Sequence, residues 1–324
     1  MDKETLSNYG WIVICVLVLA VMIALATPFG DYISTAVKST TQGLFDTNKN
    51  ALNSTGLINI GDQSFSDGTG DSGGGNQTTE VKREAGSIIP NGAKYTIKAT
   101  NTVLEGNGTN KFPDTPAKDD TYEEGDYKYT YNVGFDSNGN DYGTEWSVVV
   151  KDKTKTEYGE ILSEIAGKPV TNMLGTFEYC TSLTTAPTIP NGVTNMIGTF
   201  DGCTSLATAP AIPSGVTRMS RTFSGCTSLT KAPTIPDSVI YMAATFRDCN
   251  SLAVAPVIPS SVTNIKNTFK GCASLTGTIE INANPSYFED CFNRTYEQIT
   301  LTGTSTMLNE LAATSQSGNI TVAQ

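Results

Sequence analysis

Apolar residues in the second half of the chain recur every three or four positions, and the whole pattern repeats after 23 residues. A strand would alternate at every second residue and a helix would sustain a period of about 3.6, so neither element alone explains this spacing. We interpret it as a coil that turns corners and directs these side chains to a shared interior. The pattern therefore predicts a mainly β solenoid. In one copy the apolar positions are Val193, Met196, Phe200, Cys203, Leu206, Ala209 and Ile212.

The repeat occurs in five consecutive copies, at 170–192, 193–215, 216–238, 239–261 and 262–284. One copy cannot bury its own apolar edge, so its stability has to come from the copies stacked on either side of it. Such an array needs a cap at each end. At the N-terminal end we expect a strand around Trp146 and a short helix from Glu157 to Gly167. At the other end we expect an atypical coil with strands around Ile299 and Ile320.

Short runs with alternating character precede the repeat and predict a small β domain or solenoid cap over 80–160. They are AKYTIKA, YKYTYNV and EWSVVVK, separated by Gly, Pro, Asn and Asp. Between the second and third runs, Asp136, Asn138 and Asn140 alternate as in a calcium loop. However, such a loop wants glycine and glutamate where this chain has Asp141 and Ser147. We favour a hairpin turn around Asn138 over a calcium site.

The N-terminal 53 residues carry an uncharged apolar run at 11–27, which would span roughly 25 Å as a helix. Three interpretations stay open: a membrane anchor, a cleaved secretory signal, or a packing helix inside a filament. Residues 54–79 are rich in Gly, Ser and Asp and predict a flexible linker before 80–160 and the solenoid at 161–324. The anchor or filament core would comprise Trp11, Val16, Leu19, Met22, Leu25 and Pro28.

Charge and composition argue against several classes of function. The 324 residues include 21 Lys and Arg against 32 Asp and Glu, for a net charge of -11. This charge would repel a phosphate backbone, so we expect no nucleic-acid partner. The chain has no histidine, which removes the commonest general base and nearly all catalytic zinc sites. We therefore expect a non-enzymatic protein with no catalytic, cofactor or metal site.

Five cysteines occupy one column of the repeat, and Cys291 follows the last of them by 19 residues. Disulfides between neighbouring coils are an open alternative, because the spacing between coils permits them. Side chains in a stacked column point in parallel, however, and cysteine suits a small buried corner. We favour a buried ladder of thiols. The column consists of Cys180, Cys203, Cys226, Cys249 and Cys272.

The segments VTNMIGTFDGCTSL and IPNGVTNM resemble the BspA-like leucine-rich repeats of bacterial surface proteins, over about 165–284. The resemblance implies a leucine-rich-repeat solenoid in which Val-Thr-x-Met forms parallel ladders and Phe-x-x-Cys marks the opposite corner. It also implies display on cells and adhesion to host proteins or other microbes. This chain departs from the pattern by prolines that remove a backbone donor, so we expect an incomplete ladder there. These prolines are Pro187, Pro210, Pro233 and Pro256.

The N-terminal segment has a weaker resemblance to type IV pilins, because an apolar half, Pro28 and an amphipathic half follow one another. It departs from them where Cys15 stands in place of the expected glutamate. The resemblance implies an alternative function, in which N-terminal helices form the core of an extracellular filament and the solenoids decorate it.

Two columns vary from copy to copy, and we expect them to face outward as a candidate binding ridge. The first column is Asn172, Asn195, Arg218, Tyr241 and Asn264. The second is Glu178, Asp201, Ser224, Arg247 and Lys270. Drift at solvated positions is the alternative explanation.

Together these features predict an exported protein at the cell surface, anchored in the membrane or assembled in a filament. Its partners would be a membrane or other copies through the N-terminal helix, and a protein or glycan on host or other cells through the solenoid. The C-terminal residues carry no LPxTG-like sorting signal, so we expect any attachment to come from the N-terminal helix.

Overall fold

The computed structural model describes residues 80–135, 141–315 and 318–323, with the side chains of 133–143 excepted. All of them belong to the second of two compact units, Gln77–Gln324. The predicted N-terminal helix and linker, including Trp11, Val16, Leu19, Met22, Leu25 and Pro28, lie outside the described residues, as does the turn around Asn138.

Eleven strands and one short helix make up the regular structure of the described residues. The first eight strands form one sheet in the order β1-β7-β8-β6-β5-β4-β2-β3, and the last three form a second sheet in the order β11-β10-β9. The elements are β1 Lys82–Arg83, β2 Lys94–Ile97, β3 Thr102–Glu105, β4 Thr121–Glu124, β5 Tyr127–Phe135, β6 Asp141–Val150, β7 Glu164–Ile165, β8 Lys168–Asn172, β9 Gly277–Glu280, β10 Ile299–Thr302, α1 Leu308–Ala312 and β11 Ile320–Val322.

The N-terminal strands form a β cap on the solenoid, and the three alternating runs correspond to β2, β5 and β6. Tyr127, Tyr129 and Tyr131 are buried on one face of β5 because alternate residues of a strand share a face. Strand β6 joins the cap to the first coil, since Trp146 pairs in parallel with Val170. The predicted strand around Trp146 is thus confirmed. Its indole Nε1 donates a hydrogen bond to the carbonyl oxygen of Ile165 at 2.8 Å.

The predicted helix from Glu157 to Gly167 was wrong. This segment is extended and ends in the hairpin of β7 and β8. Its apolar residues Ile161, Leu162 and Ile165 are buried under the cap, and the amide of Leu162 donates to the hydroxyl of Tyr129 at 3.1 Å. Pairing with β1 and β8 satisfies backbone groups that a helix would have paired internally, so tertiary contacts override the local helical pattern.

The coils stack through buried columns of identical side chains. Consecutive phenylalanine rings are nearly parallel, with centroids 5.2 to 5.8 Å apart. The valine, methionine, cysteine and leucine positions of the repeat are also inaccessible to solvent, whereas Ala209 and Ile212 are only partly buried. The stacked column is Phe177, Phe200, Phe223, Phe246, Phe269 and Phe292.

Between residues 173 and 276, all of them described, the coils are joined by isolated parallel bridges and by no continuous strand. One ladder of bridges follows the third position of each coil and runs from Asn172 to Tyr287. Another joins Thr208, Lys231 and Val254, two residues before the prolines. The prediction of an incomplete ladder at the prolines is confirmed, because proline has no N–H to donate.

The solenoid has a sixth coil beyond the five copies that the sequence analysis delimited. Phe292 continues the ring stack, and Tyr287 bridges to Asn264. The thiol and hydroxyl positions are exchanged in this coil: Cys291 takes the place of Thr268, and Thr295 takes the place of Cys272. This exchange hid the coil, because the cysteine falls 19 residues after the previous one where the column requires 23.

The C-terminal end is capped by three parallel strands and one helical turn. Ile299 pairs with Gly277 on one side and with Ile320 on the other, which confirms the strands expected around Ile299 and Ile320. Helix α1 buries Leu311 against this end. A five-residue helix carries too short a pattern for the sequence to have revealed it.

The six cysteines in the described residues are buried free thiols. The thiols of Cys203, Cys226, Cys249 and Cys272 each donate to a phenylalanine carbonyl of the preceding coil at 3.0 to 3.2 Å. Burial raises the pKa of the Cys249 thiol to about 12. The interpretation as a buried thiol ladder is therefore confirmed.

Candidate recognition face

The third position of each coil forms a continuous row along the solenoid, which we call the recognition row. Each member bridges in parallel to the next, so neighbouring members of the row lie one coil apart. The recognition row consists of Asn172, Asn195, Arg218, Tyr241, Asn264 and Tyr287.

The first two members of the row are buried, which corrects the expectation that the whole column faces outward. Asn172 and Asn195 are 2% and 7% exposed. The side-chain oxygen of Asn172 accepts hydrogen bonds from the amide of Leu174 at 3.0 Å and from Nδ2 of Asn195 at 3.2 Å. These side chains hydrogen-bond to backbone amides within their own coils and to each other, and they are therefore turned away from solvent.

The later members of the row reach the solvent. Arg218 and Asn264 are half-buried, while Tyr241 and Tyr287 are 44% and 57% exposed. Tyr287 was missed by the sequence analysis because the sixth coil was not recognised. Extending the 23-residue spacing by one step from Asn264 would have found it.

The second predicted column is only partly exposed. Asp201 and Ser224 are buried, at 4% and 8% exposure, which again corrects the expected outward orientation. Glu178 and Lys270 are half-buried, and Arg247 is exposed.

Two ion pairs join this column to the next coil with the same geometry and opposite polarity. The guanidinium of Arg221 lies 2.6 Å from the carboxylate of Asp201, and the ammonium of Lys270 lies 2.7 Å from that of Asp290. In both pairs the partners are 20 residues apart, with the acid first in one pair and the base first in the other. The hydrogen bond from Lys270 lowers the pKa of Asp290. An ion pair between neighbouring coils can therefore form here with the acid in either the earlier or the later coil.

The corner beside these ion pairs requires a left-handed backbone in every coil. The φ angle there is positive at Gly175, Gly198, Arg221, Ala244, Asn267 and Asp290, with values of 56 to 62 degrees. The four residues that are not glycine, Arg221, Ala244, Asn267 and Asp290, carry a steric cost that glycine avoids, and this cost is smaller for Asn and Asp. This requirement could not be predicted from the sequence, because five residue types share the position.

Arg218 differs from the other cations of this face. Arg221, Arg247, Lys266 and Lys270 each pair with an acid. Within the part of the chain that the structure describes, Arg218 takes part in none of the ion pairs. Its guanidinium is therefore not neutralised by an ion pair with any of the described residues.

A cleft with a volume of about 660 Å³ lies on the proline side of the later coils. Its polar side chains at the C-terminal end are occupied, since Asn282 accepts hydrogen bonds from Thr304 and donates one to Glu280. Over 80–135, 141–315 and 318–323, no group of three His, Cys, Asp or Glu side chains is placed to hold a metal ion. The lining includes Pro233, Pro256, Pro259, Val257, Lys231 and Asp237.

The repeat region matches a known family of leucine-rich repeats. Residues 174–311 match the profile of the "BspA type Leucine rich repeat region" in six copies. This part of the chain is a BspA-type leucine-rich repeat region. The six copies agree with the six coils of the structure, whereas the resemblance in the sequence is firm only to about residue 284.

Two solved structures of bacterial leucine-rich repeat proteins are similar to this protein. The T. pallidum leucine-rich repeat protein TpLRR is 22% identical, with a TM-score of 0.42 over 60% of this chain and 97% of that chain. A leucine-rich repeat protein from Bacteroides ovatus is 21% identical, with a TM-score of 0.31 over 54% of each chain. No curated protein matches the sequence.

The comparisons lend no support to the pilin-like resemblance, and the segment that carries it lies outside the described residues. None of the helices in 80–135, 141–315 and 318–323 has the length and apolar character needed to cross a bilayer.

Proposed function

We propose that this BspA-type repeat protein is a non-enzymatic recognition protein displayed at a bacterial surface, and that the recognition row contacts its ligand. The observation that carries this proposal is the contrast between positions of the repeat. Most interior positions keep one residue type from coil to coil, as the phenylalanine column does, while the exposed end of the recognition row presents Arg218, Tyr241, Asn264 and Tyr287 in succession.

The scaffold suits recognition because its exposed side chains are held by a rigid interior. The stacked phenylalanine rings and the coil-to-coil bridges fix the backbone under the row. Less conformational entropy is then lost when a ligand binds. Tyrosine and arginine are also the residue types that most often dominate the energy of an interface.

Display at the surface is part of the proposal and rests on the repeat type and on the apolar run at 11–27. Antibodies against the solenoid should label intact producing cells as strongly as lysed ones. Labelling that requires lysis would contradict surface display without affecting the proposed binding function.

The binding function is tested with the purified full chain. We expect it to bind at least one component of a panel of purified extracellular-matrix proteins, mucins and immobilised glycans. The double variant Arg218→Ala with Tyr241→Ala should bind that component at least tenfold more weakly. The matched control is Tyr296→Ala, because Tyr296 is 60% exposed but lies outside the row. Absence of binding to the whole panel, or equal binding by the double variant, would overturn the proposal.

A further inference from the structure

The two exposed tyrosines of the recognition row are separated by two coils. In the same coils, the phenylalanine ring centroids are 5.8 Å and 5.5 Å apart, so Tyr241 and Tyr287 leave the surface at about twice this spacing. Asn264 lies between them in the row. Two aromatic platforms with a polar group between them can support the apolar faces of alternate rings in an extended chain of sugars.

Polar groups flank these platforms. The preceding position in the coils carries Thr217, Ile240, Thr263 and Ser286, and the three polar residues among them are half-buried or exposed. The hydroxyls of Thr217 and Thr263 donate to carbonyl oxygens of the preceding coil at 3.4 and 3.3 Å, which leaves their lone pairs to accept from a ligand. The side-chain oxygen of Asn264 accepts from the amide of Lys266 at 3.1 Å, so its NH2 group is the part that can donate outward.

At one end of these platforms, Arg218 supplies the charge. Its fork of donors matches a carboxylate, with which it forms two parallel hydrogen bonds. Because the whole chain has a net charge of -11, a densely charged polymer would be repelled. The site therefore fits a ligand with isolated acidic groups.

The backbone of the row argues against an extended peptide as the ligand. Arg218 and Tyr241 bridge to each other and to their other neighbours in the row. Their amides donate within the stack, to Thr194 and Thr217. A peptide strand that binds by edge pairing needs such donors and acceptors to be free.

We propose that the recognition row of the later coils binds an acidic oligosaccharide, with the carboxylate of one sugar on Arg218 and other sugar rings on Tyr241 and Tyr287. This inference rests on the proposed function and names its ligand class. Binding is non-covalent, and the hydroxyls of the sugar meet Thr217, Thr263 and Asn264.

The experiment uses the full chain on an array of neutral oligosaccharides and oligosaccharides containing uronic or sialic acids. We expect binding to members that carry a sugar acid. The strongest of them is then titrated in solution beside its carboxyl methyl ester. The ester should bind at least tenfold more weakly, because it loses the charge-assisted hydrogen bonds.

Single substitutions in the recognition row test whether its residues bind the oligosaccharide. Arg218→Met should weaken binding of the acid at least tenfold and abolish the preference for the acid over its ester. Tyr241→Ala should weaken both ligands, while Tyr241→Phe, which keeps the ring, should change neither by more than about twofold. Tyr296→Ala is the control that leaves binding unchanged.

The outcomes separate this inference from the proposed function. Binding to no acidic oligosaccharide on the array overturns the inference, as does binding that survives both Arg218→Met and Tyr241→Ala. If a panel protein then binds through the row, the proposed function stands without it. If neither proteins nor glycans bind, both fail.

Discussion

The thiol of Cys249 donates a hydrogen bond to the carbonyl oxygen of Phe223 in the preceding coil, at 3.0 Å. The same bond recurs from coil to coil, and in the first coil the hydroxyl of Tyr158 meets Cys180 at 3.4 Å in its place. The cysteine column thus fills the interior and also joins neighbouring coils by hydrogen bonds. The bond exists only while the thiol is protonated.

The first prediction follows from the titration of these thiols. Burial raises the pKa of Cys249 and Cys291 to about 12 from an ordinary value of 9.0. Above pH 9 the unfolded chain releases thiol protons that the folded chain retains, so the free energy of unfolding falls as pH rises. Urea denaturation at pH 8, 9 and 10 should show this fall, and Cys249→Ser should make it shallower by up to about 1.4 kcal/mol per pH unit.

The measurement should stop at pH 10, because buried tyrosines also affect the free energy of unfolding at higher pH. Burial also raises the pKa of Tyr95, Tyr122 and Tyr127 above their ordinary value of 10.0, so tyrosines add to the loss at higher pH. A free energy of unfolding that is constant between pH 8 and 10 would contradict the buried thiol ladder.

The second prediction concerns the left-handed corner. Ala244 has a φ angle of 56 degrees, where a Cβ atom costs roughly 1 kcal/mol relative to glycine. Ala244→Gly should therefore stabilise the protein by a few tenths to about 1 kcal/mol. The neighbouring Ala243 is equally half-buried and has no positive φ, so Ala243→Gly should destabilise it. Thermal unfolding of the two variants gives the answer, and shifts of the same sign would refute the argument.

The solenoid could be predicted from the sequence because most interior columns repeat one residue type over the first five coils, as with Phe200 and Phe223. The left-handed corner could not, because Gly198, Arg221 and Ala244 have nothing in common except the backbone angle that the stacked coils impose. The sixth coil was not predicted for a related reason. Cys291 occupies the position of Thr268 in this coil, so the cysteine that identifies each repeat falls four residues too early.

The recognition face shows a different limit. The columns that vary between coils include Arg218 and Tyr241, which reach the solvent. It also included Asn172, Asn195 and Asp201, which are buried. Variable polar residues can satisfy backbone amides or form ion pairs between coils, and the sequence alone does not distinguish these roles from exposure to a ligand.

The third prediction compares the two ion pairs of opposite polarity. The side chain of Asp201 is 6% exposed, whereas that of Asp290 is 46% exposed. Arg221→Met leaves a buried carboxylate without its cation and should destabilise the fold by about 1 to 3 kcal/mol. Lys270→Met leaves Asp290 in contact with water and should cost less than about 1 kcal/mol. Urea denaturation of both variants tests the order, and an equal cost would contradict it.

The last prediction concerns Tyr179, whose ring lies over Gly202 in the next coil. A Cβ atom added to Gly202 would approach a carbon of that ring to 2.6 Å, whereas one added to Gly225 meets nothing closer than 3.5 Å. Both glycines have positive φ angles, of 73 and 69 degrees. Gly202→Ala and Gly225→Ala should therefore share a backbone cost of roughly 1 to 2 kcal/mol, and Gly202→Ala should cost more by the displacement of the ring.

The double variant Tyr179→Ala with Gly202→Ala separates these contributions. Removing the ring should make the cost of Gly202→Ala equal to that of Gly225→Ala, because only the backbone strain then remains. Thermal unfolding of the single and double variants supplies the comparison. If Gly202→Ala costs the same with and without the Tyr179 ring, the ring does not constrain the next coil.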